Sequence, residues 1–177
     1  MRRKTNIKKG YSIIELLVVI AIFSIISVIV SQSLVLSLRG SKKSESVIEV
    51  KNNVDVALST MERLLRNAKS IDCSTAHASG GSQVKYVDEF GANTLFACVV
   101  DSTNGNYIAS GSASPKKLTN NSAVEVTNCV SVFSCPVIAN SPPMVEISIK
   151  AQHKNNDILG SEGAIVESRT RVLLRTY

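Results

Sequence analysis

The stretch that decides the fold is residues 8–30, which read KKGYSIIELLVVIAIFSIISVIV. Two lysines and Gly10 precede a long apolar run, and one carboxylate, Glu15, lies inside that run five residues after the glycine. A charge at the centre of a lipid bilayer costs about 2.5–3.5 kcal/mol on insertion scales. A segment that only had to anchor the chain would not carry this charge. The sequence therefore predicts that Glu15 has a partner of opposite charge.

The apolar run is long enough to cross a membrane as a helix. It continues past a short polar break as far as Leu38, and a helix over Tyr11–Leu38 would be about 42 Å long. Because a hydrocarbon core is about 30 Å thick, we predict a transmembrane helix over residues 11–39. The basic residues before Gly10 are expected to stay in the cytoplasm by the positive-inside rule, which places residues 40–177 outside it.

The positive charge of the chain is concentrated in the same N-terminal segment. The 177 residues carry a formal net charge of +6, which by itself would suggest a nucleic-acid partner. The basic residues that precede Gly10 are Arg2, Arg3, Lys4, Lys8 and Lys9. Cleavage of residues 1–10 as a leader would take these five charges from the +6 and leave +1. Nucleic acid is therefore not the expected partner.

Four cysteines lie in the polar C-terminal part of the chain: Cys73, Cys98, Cys129 and Cys135. None forms a Cys-x-x-Cys pair, and the chain has only two histidines, so the spacing of a zinc site is absent. An even number of cysteines beyond a membrane segment favours disulfides in an oxidising compartment, with three pairings open. We expect Cys73–Cys98 and Cys129–Cys135 because each closes a short local loop. Buried reduced thiols are the alternative.

Beyond Gly40 the pattern changes from uniformly apolar to amphipathic. Gly40 is expected to loosen or bend the helix, and apolar residues then recur every three or four positions over about residues 42–69. They are Val47, Val50, Val54, Ala57, Met61, Leu64 and Ala68, widened by Ile48, Leu58 and Leu65. We predict one amphipathic helix packed on its own domain, with a coiled-coil partner as the alternative.

The remainder of the chain has the pattern of β-strands joined by polar turns. The predicted strands are Val84–Val87, Thr94–Asp101, Ala123–Phe133, Met144–Ala151 and Ala164–Tyr177. Residues 110–117 and 152–163 are predicted to be loops. The expected fold class is α+β: a long N-terminal helix, with a transmembrane half and an amphipathic half, packed on an antiparallel β-sheet.

Gly10, Tyr11, Glu15 and the following LLVVIAIFSII together resemble the N-terminus of type IV pilin-like proteins, which include pilins and the pseudopilins of type II secretion. The resemblance implies a pilin-like fold. It also implies that Gly10 is the last leader residue, cut on the cytoplasmic face by a prepilin peptidase. Tyr11 would then be the N-methylated mature N-terminus. Glu15 would neutralise the amine of a neighbouring subunit as the subunit enters the filament.

Two features differ from the usual pattern of the family and favour one of its subgroups. Tyr11 stands where Phe is more usual, and the helix lacks the proline that many major pilins carry, which favours a minor pilin or a pseudopilin. The C-terminal half looks like that of the J-type, or PilW-like, minor pseudopilins. The resemblance thus implies a subunit of a type IV pilus or a type II secretion pseudopilus, first held in the inner membrane by one span and later part of a periplasmic or cell-surface filament. Its implied partners are prepilin peptidase, other pilin or pseudopilin subunits and membrane lipid.

A Sec signal peptide is the main alternative for residues 1–33. It too has a charged start, an apolar middle and a small-x-small ending, here Ser31-Gln32-Ser33. Such a chain would be an exported or membrane-anchored binding domain or enzyme. Glu15 inside the apolar segment argues against this alternative.

The sequence contains no motif that predicts catalysis or a cofactor, and we expect the protein not to be an enzyme. His77 and His153 are predicted to be solvated loop residues. Asp101, Asn104 and Asn106 carry part of a calcium-loop pattern, but its other positions are missing. They therefore predict an Asn-Gly turn and no metal site.

A basic strip near the C-terminus is the remaining candidate site. Arg169, Arg171 and Arg175 would share one face of a terminal strand, and Lys116-Lys117 is a second basic pair. Such a row could contact DNA, or it could pair with acidic residues of a neighbouring subunit. Aromatic stacking partners are missing from it, so DNA contact is not expected.

Overall fold

The computed structural model describes residues 10–74, 76, 82–112, 114–136, 142–154 and 164–174. The predicted leader residues 1–9, His77, Arg175 and most of the predicted loop 152–163 lie outside the described residues. By its internal contacts the chain divides into two compact units, Met1–Lys42 and Lys43–Tyr177.

One helix, α1, runs from Ile13 to Arg66 and is 54 residues long. The residues on both sides of Gly40 are helical, so Gly40 does not separate two helices. A glycine inside a helix costs only about 1 kcal/mol relative to alanine, which a helix of this length tolerates. After the helix ends, the backbone N–H of Lys69 donates to the carbonyl of Val87 at 2.9 Å and leads the chain into the first sheet.

The part of α1 in the second unit is amphipathic, as predicted. Its buried residues recur every three or four positions: Val50, Val54, Ala57, Leu58, Met61 and Leu65. Val47 and Leu64 are half-buried, whereas Ile48 is exposed. The buried face contributes to one hydrophobic core together with residues from both sheets. The prediction that this helix packs on its own domain is confirmed.

Five strands form the first sheet, in sequence order and all antiparallel to their neighbours. They are β1 (Ser70–Asp72), β2 (Gln83–Val87), β3 (Asn93–Val99), β4 (Tyr107–Ser110) and β5 (Lys116–Lys117). Val84, Tyr86, Phe96, Cys98 and Ile108 point into the core from its inner face. The Tyr86 and Phe96 rings stack there with centroids 5.0 Å apart.

Four strands form the second sheet: β6 (Val124–Val126), β7 (Phe133–Ser134), β8 (Met144–His153) and β9 (Ile165–Leu173). β8 pairs with β9 along nearly its whole length on one side, and with β7 and β6 on the other. Val145, Ile147 and Ile149 are buried and alternate with more exposed neighbours, which confirms the predicted half-buried strand.

The sheet predictions hold for β2, β3, β8 and β9 and fail for the shorter strands. The antiparallel arrangement is confirmed, but the strands form two sheets rather than one. The predicted run Ala123–Phe133 is divided into β6 and β7 by a turn that contains Cys129. The strands β1, β4 and β5 were not predicted, and β5 lies at the end of the predicted loop 110–117.

The two disulfides join Cys73 to Cys135 and Cys98 to Cys129, with Cα atoms 6.2 and 5.3 Å apart. The expected pairing Cys73–Cys98 and Cys129–Cys135 is therefore wrong. Cys73 follows β1 and Cys98 lies in β3, with β2 between these strands. Neighbouring strands are about 4.8 Å apart, so strands two places apart exceed the Cα separation that a disulfide spans. Each disulfide instead connects the first sheet to the chain that flanks β7 in the second.

Candidate processing and assembly site

The backbone around Gly10 and Tyr11 is not helical, and both residues are exposed, Tyr11 by 87%. No atom lies within 4 Å of the position that a Cβ on Gly10 would take. The helix begins directly afterwards, where the carbonyl of Ser12 accepts hydrogen bonds from the N–H groups of Glu15 and Leu16 at 3.1 and 3.2 Å. The peptide bond after Gly10 is thus outside the helix and open to an enzyme.

Glu15 is an exposed residue in the first turn of α1. This position places the carboxylate at the end of the apolar helix rather than at its centre. A negative charge in the first turn is favourable for a helix because the unpaired N–H groups there carry partial positive charge. The spacing Ser12-x-x-Glu15 is also that of a capping box. Glu15 can therefore interact with its own helix end as well as with a charged amine beside it.

The apolar segment after Glu15 presents its side chains outward on all sides. Every large apolar residue from Ile13 to Leu38 is 48–80% exposed. By length and composition α1 could cross a membrane, and its most apolar stretch of 18 residues contains no buried residue. Apolar surface of this extent in a soluble chain would favour association, so this segment requires lipid or protein around it.

Three hydroxyl groups in the apolar segment are paired within the helix. Ser24, Ser27 and Ser31 donate to the carbonyls of Ile20, Phe23 and Ser27, each at 2.8 Å. An unpaired polar group in hydrocarbon costs several kcal/mol. These bonds remove that cost for the donors, so the serines are compatible with a membrane span.

His153 is placed differently from its prediction as a solvated loop residue. It is the last residue of β8, its side chain is only 15% exposed, and its Nε2 atom lies 3.2 Å from Oε2 of Glu49 on α1. The prediction was wrong because β8 continues two residues past the last clearly alternating position. The contact joins the helix to the end of the second sheet.

Asp101, Asn104 and Asn106 form the predicted Asn-Gly turn. Asp101 accepts hydrogen bonds from the backbone N–H groups of Asn104 and Thr103, both at 2.9 Å, and these bonds lower the pKa of its carboxyl. Gly105 has φ of +80°, which glycine adopts without strain. Asp101 thus uses its oxygens within the turn. Among the described residues, no three His, Cys, Asp or Glu side chains are grouped as metal ligands.

Arg175 of the predicted basic strip lies outside the described residues, and the two described arginines each have a carboxylate partner within the chain. Arg169 pairs with Glu167 on the same strand, and Arg171 lies 3.4 Å from Glu146 across the sheet. Lys117 lies over the ring of Tyr107, 4.7 Å from its centroid. The register of β8 and β9 places Glu146 opposite Arg171, and Glu167 lies two residues before Arg169 on the same strand, so these two arginines do not form an unpaired row.

Residues 5–31 match the protein family described as "Prokaryotic N-terminal methylation motif". The matched segment includes Gly10, Tyr11 and Glu15 and extends to Ser31 in the apolar helix. No curated protein and no solved structure was found to match the chain.

Proposed function

We propose, on the premise that the chain carries the N-terminal segment of a type IV pilin-like protein, that it is a minor pilin or pseudopilin subunit. In this proposal prepilin peptidase removes residues 1–10 and methylates Tyr11. Before assembly the mature subunit is anchored in the inner membrane, with its globular domain outside the cytoplasm. It then joins a type IV pilus or a type II secretion pseudopilus.

One observation carries this proposal: an exposed, non-helical Gly10–Tyr11 bond lies directly before an exposed apolar helix of membrane length. A protease needs extended backbone that can enter its cleft, and Gly10 has no side chain to obstruct that approach. The Sec alternative would place cleavage after residues 31–33, which are helical. The Ser31 hydroxyl is also bonded to the turn before it.

Cleavage at this bond would produce the charge that Glu15 requires. The new amine at Tyr11 is cationic at neutral pH, and it would lie at the same end of α1 as the Glu15 carboxylate. Pairing two charges in a poorly solvated helix bundle offsets the cost that each would have alone. We propose that the amine of an incoming subunit pairs with Glu15 of its neighbour and so sets the axial position of the new subunit.

The choice of a minor pilin or pseudopilin rests on two weaker features. The sequence of α1 contains no proline, unlike many major pilins, and the C-terminal half is similar to the J-type group. We propose that the globular domain acts through assembly with other subunits and not through catalysis. The pairing of Arg169 and Arg171 with carboxylates of the same chain supports the absence of a DNA-binding role.

Intact-mass and N-terminal analysis of the protein from native membranes tests the proposal. We expect a chain that starts at a methylated Tyr11. Export by the Sec route predicts a start near Leu34, and an uncleaved anchor predicts a start at Met1. Either of these two results would contradict the proposal.

A further inference from the structure

A basic group follows the apolar segment directly: Arg39 and Lys42, with Lys43 next in the sequence. Arg39 and Lys42 are helical and exposed. Neither of them makes an ion pair with any residue that the structure describes. Two cations without an ion-pair partner among the described residues therefore lie at the end of the apolar segment.

The helix offers Arg39 no negative charge one turn away, and it offers Lys42 only Glu45, three residues farther on, with which Lys42 makes no ion pair. The residues one turn before Arg39 are Val35 and Leu36, and those one turn after it are Lys42 and Lys43. Residues three and four positions apart are neighbours on a helix, and like charges at this spacing repel. Arg39 therefore has no negative partner within reach on its own helix, so a negative charge from outside the chain would stabilise it.

The length of the helix places Arg39 at the boundary of the membrane. From Ile13 to Arg39 the helix rises about 39 Å, which is about 9 Å more than a hydrocarbon core of about 30 Å. A tilt of about 20° reduces this excess to about 7 Å. If the hydrocarbon instead covers Leu16–Leu38, which spans about 34 Å, Arg39 is the first residue beyond it. In both registers Arg39 lies in or beside the headgroup layer.

We propose that Arg39 and Lys42 bind the phosphate groups of anionic phospholipids in the leaflet that faces the globular domain. The inference rests on the membrane anchoring in the proposed function. The Arg39 guanidinium can donate two parallel hydrogen bonds to one phosphate. The flexible Lys42 side chain, about one turn farther out, can reach back toward the headgroups.

Lipid is favoured over an acidic protein surface as the occupant because the basic group is continuous with the apolar segment. Any bilayer that surrounds Leu34–Leu38 brings headgroups to Arg39 without a further docking step, and basic residues this close to an anionic membrane surface are attracted to it. The contact would fix the depth of α1 while the subunit is in the membrane, and it would be released when the subunit leaves.

Spin-labelled lipids measure this contact on the full chain reconstituted into phosphatidylcholine vesicles. The quantity measured is the association of labelled phosphatidylglycerol with the protein relative to labelled phosphatidylcholine. The test variant is Arg39→Gln with Lys42→Gln. The matched control is Lys51→Gln with Arg63→Gln, which removes the same charges from exposed helical positions 12 and 24 residues after Arg39 in the sequence.

We expect the test variant to lower the preference for phosphatidylglycerol at least about two-fold at low salt, and the control to leave it unchanged. The leader is identical in all of these proteins, so its own attraction for anionic lipid cancels in the comparison. An unchanged preference in the test variant would overturn the inference, and so would an equal loss in the control. A chain that does not float with the vesicles would contradict the anchoring itself, whereas flotation without a lipid preference contradicts this inference alone.

Discussion

The hydroxyl of Ser82 accepts a hydrogen bond from the backbone N–H of Phe133 at 3.0 Å, which joins the segment before β2 to β7 of the other sheet. Ser82 is fully buried, and its hydroxyl also donates to the carbonyl of Ala76. Its backbone N–H donates to Cys129, and its carbonyl accepts from Cys98, both at 2.8 Å. Ser82 therefore links the two sheets beside the Cys98–Cys129 disulfide.

Replacement of this hydroxyl should destabilise the globular domain. In Ser82→Ala the buried N–H of Phe133 loses its partner, which costs about 1–3 kcal/mol of unfolding free energy. Denaturant unfolding of the full chain in detergent, followed by circular dichroism, measures the change. Ser59→Ala is the control, because Ser59 is exposed and its loss should change stability by less than about 0.5 kcal/mol. If both variants are equally stable, the hydrogen bonds of the Ser82 hydroxyl do not stabilise the link between the two sheets.

The disulfides should stabilise the domain by closing long loops. The bonds Cys98–Cys129 and Cys73–Cys135 span 31 and 62 residues, and chain entropy assigns about 4 kcal/mol to each. We expect reduction to lower the unfolding midpoint sharply. Proteolysis without reduction should yield one linked pair of peptides for each bond, and a peptide pair that joins Cys73 to Cys98 would contradict the observed connectivity.

Acid should weaken the turn at Asp101. Hydrogen bonds from Asn104 and Thr103 lower the pKa of Asp101 from its ordinary value of 3.8. The pKa of Asp101 is lower in the folded chain than in the unfolded chain. Its contribution to stability is therefore complete at pH values above the unfolded-state pKa, and it is lost as the pH falls through the folded-state pKa. Unfolding measured between pH 6 and pH 2, a range chosen to bracket about 3.8, should show stability falling below about pH 4. The stability of the Asp101→Asn variant should fall less steeply over this range. If the two stability curves are parallel, Asp101 does not contribute to the loss of stability in acid.

The sequence predicts the parts of this fold in which one periodicity extends over many residues. α1 and β8 have such patterns, whereas β4 and β5 are short, and their positions depend on the pairing of β4 with β3 and of β5 with β4. The predicted pairing of the four cysteines was wrong for a related reason. A doubling of loop length costs only about 0.6 kcal/mol, so a preference for short loops is weak. The separation between Cys73 and Cys98 across β2 is too large for a disulfide, and this constraint can be recognised only once the strand order is known.

The proposed processing site follows from the sequence alone, since the motif consists of adjacent residues and does not depend on packing. Gly10→Ala should slow cleavage strongly, because the added methyl group would enter the peptidase cleft next to the bond that is cut. The precursor-to-mature ratio on immunoblots measures the effect. Apart from the chain neighbours and the adjacent helix backbone, no described atom lies within 4 Å of the Cβ position at Gly10 or at Gly40. Gly40→Ala is therefore a control for the same substitution and should be processed normally. An unchanged ratio in Gly10→Ala would argue against recognition of this residue.

Glu15 should be required for assembly and not for membrane insertion. Glu15→Gln keeps the shape of the side chain and removes the charge, so insertion should be unchanged or slightly improved because a charge in hydrocarbon is costly. Incorporation into filaments should fall at least about ten-fold if pairing with the Tyr11 amine contributes about 1.4 kcal/mol or more. Sheared-filament yield compared with total membrane-bound subunit measures this change. Glu45→Gln removes an exposed carboxylate from the same helix beyond the apolar segment and should assemble normally. If Glu15→Gln also assembles normally, the charge of Glu15 is not required for assembly, and the proposed pairing between subunits is excluded.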